Sequence, residues 1–194
     1  MVQATCHHQD RMRHIVDDWS TAMAARDGWL GGTYGFTEDG RFVGVVRYES
    51  AAAREELMRD EASKAGWEAA LACCEGDLET HQSEDVTMML RGGSDDAGFV
   101  QVMRGHIGES DRFAHLASDE MTSMLHEARP EIIGATMAIE PDGTFVETIA
   151  FTDEPSARRG EHQDMPADVR EDLQHAFLDV EYLDLHQPWF ASHR

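Results

Sequence analysis

Hydrophobic positions switch between two periods along this chain, and the switches mark out its elements. Met12, Ile15, Val16, Trp19, Met23 and Ala24 fall at helical spacing, which predicts a helix capped by Asp10 and stopped by Asp27-Gly28. Residues 2–8 (VQATCHH) predict a short strand before it. Residues 30–48, LGGTYGFTEDGRFVGVVRY, change to β-rich alternation on both sides of Asp39-Gly40. That predicts a hairpin with a two-residue type I′ turn, for which Asp-Gly supplies the positive φ. A second helix follows over 50–74, carrying Leu57, Met58, Trp67, Ala70 and Leu71, with a break near 63–66. A short strand follows over 78–83.

Residues 91–97, RGGSDDA, read as a linker of glycine, serine and aspartate. The order then repeats. FVQVMRGHI, from Phe99 to Ile107, predicts a strand, and Ser110 is expected to cap a helix with Phe113, Leu116, Met121, Met124 and Leu125. Arg129-Pro130 ends it, because proline pushes the preceding residue out of the α region. A hairpin follows at 133–151. A helical segment with Val169, Leu173 and Phe177 comes next, with Pro166 at its N-terminal turn. VEYLDL at 180–185 is the last predicted strand, and HQPWFASHR reads as a tail.

The second hairpin, IGATMAIEPDGTFVETIAF, copies the first at a distance of 103 residues. Gly31, Thr33, Asp39, Gly40, Phe42 and Val43 return as Gly134, Thr136, Asp142, Gly143, Phe145 and Val146. Each half therefore reads β-α-β-β-α-β, the ferredoxin-like unit with both helices on one face of the sheet. The predicted class is α+β, with repeat 1 over residues 1–91, a linker at 92–96 and repeat 2 over 97–194. Pairing about a two-residue turn puts Tyr34, Phe36, Val43 and Val45 on one face and Thr33, Phe42, Val46 and Tyr48 on the other. In the copy it groups Met137, Ile139 and Val146 against Phe145, Ile149 and Phe151. Apolar groups on both faces predict that the two sheets cover each other in a pseudo-two-fold α+β barrel. A chain that completes its own barrel is expected to be a monomer, with surface left for further dimerisation.

Composition narrows the partners. The formal charge is −22, from 38 acidic and 16 basic residues, and such a field disfavours nucleic acid and anionic membrane. No apolar run is long enough for a span, and the N-terminus lacks a signal-peptide core, so the expected location is the cytoplasm. The acids are spread through the chain as a solvated surface. Arginine outnumbers lysine, Lys64 being the one lysine, and asparagine is absent. Three cysteines, Cys6, Cys73 and Cys74, fit neither a disulfide framework nor zinc spacing.

The repeated motif G-x-T-x₅-D-G-x-F-V, together with the element order, resembles the dimeric α+β barrel superfamily with both subunits fused into one chain. That superfamily includes antibiotic-biosynthesis-monooxygenase-like proteins, haem-degrading monooxygenases, muconolactone isomerases and stress-induced barrel proteins. GGSDDAGFVQVM at 92–103 further resembles a bacterial branch of tandem members, a likeness that carries fold and no chemistry. The resemblance implies a ligand between sheet and helices or within the barrel. It implies a cofactor-independent monooxygenase or isomerase acting on a small apolar or aromatic molecule. Its alternative is a non-catalytic small-molecule-binding or stress-related barrel, and a third reading is an interaction protein with a filled core. The haem-degrading branch fits least: its site uses asparagine, tryptophan and histidine. Trp67 and His81 could fill two of these roles, but no asparagine exists for the third.

The candidate pocket residues are Tyr34, Arg47, Gln101 and His106, ligand-facing or polar groups on otherwise apolar strands. Arg47 could orient an anionic or carbonyl ligand, or snorkel at a strand end. His106 could transfer a proton, or sit exposed at a strand end. His7 and His8 point to opposite faces of a strand, and no paired metal-ligand motif occurs, so no metal or cofactor is called for. Cys73-Cys74 at a helix C-terminus has no activating dipole. The copies differ at Arg47, which becomes Ala150, and this favours one working pocket beside the first hairpin.

Overall fold

Ten strands and seven helices alternate along the computed structural model, which describes residues 1–90 and 92–193. The chain divides into two compact units. Unit 1 comprises Met1–His81 and Gln187–Arg194, and unit 2 comprises Gln82–His186. Unit 1 holds β1 (Val2–Cys6), α1 (Gln9–Met23), β2 (Trp29–Phe36), β3 (Arg41–Tyr48), α2 (Ala51–Arg59), α3 (Glu61–Leu71) and β4 (Cys74–Thr80). Unit 2 holds β5 (Asp85–Met89), β6 (Phe99–Ile107), α4 (Ser110–Leu116), α5 (Asp119–Ala128), β7 (Ile132–Ile139) and β8 (Thr144–Phe151). It continues through α6 (Glu154–Glu161), α7 (Ala167–Ala176) and β9 (Phe177–Leu185). The final strand, β10 (Trp189–Ser192), returns to unit 1.

Both sheets are antiparallel, in the orders β10-β2-β3-β1-β4 and β5-β7-β8-β6-β9. Four strands of each, β2-β3-β1-β4 and β7-β8-β6-β9, have the ferredoxin-like order, so the α+β, two-unit reading of the sequence holds. The fifth strand in each was not foreseen. β5 lies before the 92–96 segment read as the linker, and β10 lies in the segment read as a tail. Each joins the hairpin edge of its sheet, so the units divide at His81 and Gln187 rather than at 92–96.

The added strand β10, and Gly92 just past β5, explain the motif glycines. A Cβ on Gly31 would lie 2.7 Å from the Ala191 carbonyl oxygen of β10, and one on Gly134 would lie 1.8 Å from that of Gly92. Gly134→Ala is therefore expected to lower stability by about 1–3 kcal/mol. Urea unfolding checks this, and an unchanged midpoint would remove close backbone approach as the reason for the motif.

Both hairpins close through three-residue loops instead of the predicted two-residue turn. Gly40 N donates to Thr37 O, Thr37 N donates to Arg41 O, and Gly40 alone in the loop takes a positive φ, +84°. Gly143 and Glu140 repeat the arrangement. This is a turn followed by a left-handed glycine bulge. The extra residue slips the register by one, which reverses the relative faces of the two strands. Phe36 now opposes Phe42, Tyr34 opposes Gly44 and Thr33 opposes Val45. In the copy Ile139 opposes Phe145, and Met137 opposes Glu147.

Tyr34, Phe42 and Trp189 pack with Met12 and Val16 of α1, Ala70 of α3, Cys6 and Cys73. This is the helix-side face of sheet 1. In unit 2 the corresponding cluster is Phe99, Ile132, Phe151 and Ala157. Helix ends differ in detail from expectation. His8 and Glu109, rather than Asp10 and Ser110, occupy the N-cap positions of α1 and α4, without side-chain caps. Asp10 and Ser110 already lie inside the first turn. The break in the second helix falls at Asp60, before 63–66, because the Asp60 carboxylate accepts from Ser63 N and starts α3. Phe177, read as helical, opens β9.

β9 carries a bulge opposite Gly105, whose Cβ would stand 2.5 Å from the Leu178 carbonyl oxygen. Asp179 there adopts φ +52°, and the comparable irregularity in β4 uses Gly76 at φ +78°. Asp179→Gly should raise stability by about 1 kcal/mol by relieving the left-handed conformation. Chemical denaturation tests it, and a loss of stability would mean that the aspartate side chain holds the bulge.

Candidate active site

The four residues singled out from the sequence do not share one face. Tyr34 lies on the helix side of sheet 1, buried, and accepts a hydrogen bond from Ser20 Oγ at 3.1 Å. Burial pushes its phenol well above the usual range. Arg47 shares the opposite face with Thr33, Val43 and Val45, not with Tyr34, as the register slip requires. Gln101 is buried on the helix side of sheet 2 and donates to Asp184 Oδ1 at 2.9 Å. His106 lies on the opposite face, exposed, against Thr144 and Leu178.

A different group stands out. Glu147, in the middle of β8, is only 6 % exposed. Among the described residues none donates a hydrogen bond to its carboxylate and none forms an ion pair with it. Burial alone pushes its carboxyl up to about 7, because a carboxylate taken out of water without a partner is the disfavoured form. The other buried acid among the described residues is paired: Asp172 accepts from both Arg112 and His115, and these contacts hold it below the ordinary carboxylate range.

The register fixes what surrounds Glu147. Its neighbours across the ladders are Met137 on β7 and Met103 on β6, with Tyr182 beyond Met103 on β9. Phe145 and Ile149 flank it on its own strand and face. Phe145 packs on Phe177, whose ring meets Phe113 of α4. The carboxyl therefore sits on the helix side of sheet 2, in a setting of thioethers and hydrocarbon. Helix cover on that side is loose. α1 of unit 1 is one continuous helix that buries Met12, Val16, Ser20 and Met23. Its counterpart in unit 2 is broken at Ala117-Ser118 into α4 and α5, neither of which buries a residue fully. α4 is fastened to α7 through Arg112, His115 and Asp172, while α5 exposes Met124 and Leu125.

Unit 1 has no equivalent carboxyl. The position matching Glu147 is Gly44, where a Cβ would meet the Tyr34 and Phe42 rings at 3.2–3.3 Å. Tyr34 thus fills the space, braced by Ser20 and by Trp189, whose ring centroid is 5.8 Å away. Unit 1 does have a groove of about 380 Å³ between α1 and α3, lined mainly by Ile15, Trp19, Met23, Ala65 and Gly66. It is apolar, with Asp18 as its charged residue and a Trp19 Nε1 that has no partner among the described residues. The cysteines are inert: Cys6 and Cys73 are buried, Cys73 and Cys74 donate to helix carbonyls, and burial pushes the Cys74 thiol up to about 11.

No family model matches the sequence, and no curated relative matches it. Solved structures do. The fold is one shared with proteins described as "putative monooxygenases". One from Fusobacterium nucleatum superposes with a TM-score of 0.77 at 13 % identity, covering 98 % of this chain and 92 % of that one. One from Lactobacillus acidophilus gives 0.73 at 10 % identity, covering 98 % and 93 %. An anthrone oxidase-like protein gives 0.61 at 7 % identity, covering 98 % and 91 %. At such identities the likeness speaks for architecture alone. No helix among the described residues is long and apolar enough to cross a membrane.

Proposed function

We propose that unit 2 is a proton-transfer site for cofactor-independent oxygenation or isomerisation of a small apolar or aromatic molecule, with Glu147 as the base. The observation that carries this is a buried carboxyl, unpaired among the described residues and poised near neutral pH, where a general base works best. Ionised Glu147 takes a proton from a phenolic O–H or an activated C–H, becoming a carboxylic acid and leaving a substrate anion. In the oxygenase form that anion gives an electron to O₂ and the radical pair joins through a C–O bond to a peroxide anion, which takes the proton back from Glu147 and, with the hydrogen left on that carbon, loses water to leave a carbonyl. In the isomerase form the proton returns to another carbon. The names of the structural neighbours favour the oxygenase. The apolar groove of unit 1 supports a second reading, non-catalytic binding. Oxygen uptake with quinol and anthrone-type substrates between pH 5 and 9 separates the two. Uptake that rises through about pH 7 supports the base in its oxygenase form, and none with any such substrate leaves isomerisation or binding. The reading also takes the chain to work as a monomer, and a stable dimer by size-exclusion mass measurement would contradict that.

A further inference from the structure

The row of residues that contains Glu147 is graded in exposure. Met137 is 3 % exposed and Glu147 6 %, Met103 is half-buried, and Tyr182 is 56 % exposed. All four lie in register on the helix side of sheet 2, on β7, β8, β6 and β9 in that spatial order. β9 is an edge strand, so the row opens to solvent at Tyr182. The Glu147 and Tyr182 backbones are two strand spacings apart, about 9–10 Å, with one methionine between them. Thioethers make favourable contacts with aromatic rings. Burial and the nearby Glu161 and Glu147 charges raise the Tyr182 phenol, which keeps it a protonated donor at neutral pH.

Resting on the reading of Glu147 as the base, we propose that ligands enter over Met103 from the β9 edge and that Tyr182 determines which are held. Its hydroxyl pairs with an oxygen at the outer end of a planar apolar molecule, while the ionisable end lies at Glu147. The preferred ligands are flat molecules with an oxygen at each end, and those with an oxygen at one end only bind less well.

Equilibrium binding of 2,6-dihydroxynaphthalene and 2-naphthol, followed by probe fluorescence, tests this with wild type, Tyr182→Phe and Glu147→Gln. Wild type should prefer the diol by about five- to tenfold, the worth of one hydrogen bond. Tyr182→Phe should abolish that preference and leave 2-naphthol binding unchanged. Glu147→Gln should weaken both probes. If Tyr182→Phe keeps the preference while Glu147→Gln weakens binding, the role of Tyr182 is overturned and the base stands. If Glu147→Gln binds both as wild type does, the base reading itself fails. Binding of neither probe to wild type overturns the entry route.

Discussion

Glu147→Gln should lower kcat by about 10²–10⁴-fold, the usual contribution of a positioned general base, and raise KM as well. Glutamine matches glutamate in shape but can neither take a proton nor offer a charged acceptor to the substrate hydroxyl, so the chemical step is lost and the ligand is held less tightly. The pH profile carries the sharper signature. Glu147 is competent only when ionised, and burial places its titration near 7. Wild-type turnover should therefore climb as pH rises through about 7 and level off above it, while the residual turnover of the glutamine variant shows no such step. A variant that keeps wild-type kcat at pH 8 would remove Glu147 from the chemistry.

The second large effect is on stability, and it runs opposite to the usual acid denaturation. Glu147 has a folded pKa of about 7, raised from an ordinary 4.5. Between these values the native state holds a proton that the unfolded chain has released. Stability from this group is therefore full below about pH 4.5, falls as pH rises, and is lost above about pH 7. The shift corresponds to about 3 kcal/mol. Glu147→Leu removes the penalty, so it should stabilise the protein by about 3 kcal/mol more at pH 8 than at pH 5, or about 10 °C more in Tm. Comparing the variant with wild type at each pH cancels every other titration. An equal gain at the two pH values would mean that the carboxyl is solvated or paired in the native protein.

Much of the fold could be read from periodicity. Met12, Val16 and Met23 fall on one helical stripe and are buried together, and the two Asp-Gly pairs mark hairpins that do form. Register could not be read so directly. Asp-Gly is compatible with a two-residue turn and with a three-residue turn ending in a left-handed glycine, and only one residue separates them. That residue moved Tyr34 to the face opposite Arg47. β5 and β10 escaped for another reason. DVTMM and WFAS are short edge strands, mostly exposed or half-covered, and so lack the clean alternation of a buried strand. The break at Ala117-Ser118 had a signal in Ser118, which caps α5 through Met121 N.

The sequence reading misses Glu147, although the strand carries a signal for it. Glu147 is the one acid within TFVETIAF, and strand parity alone places it with Phe145 and Ile149 whatever the turn. Its counterpart in the repeated hairpin is Gly44, so the copies differ there by a whole ionisable side chain. Arg47 and Ala150 also differ, but Arg47 is only half-buried on the other face. What sequence could not supply was the absence of a partner among the described residues, since −22 of net charge says nothing about which acids find an arginine.

The most direct test is the titration of this single carboxyl. ¹³C-labelled glutamate, with Glu147→Gln used to assign the resonance, follows the side-chain carbonyl shift across pH in the intact chain. A midpoint near 7 is predicted; a midpoint at the ordinary glutamate value of 4.5 would contradict a buried, unpaired base and the function built on it.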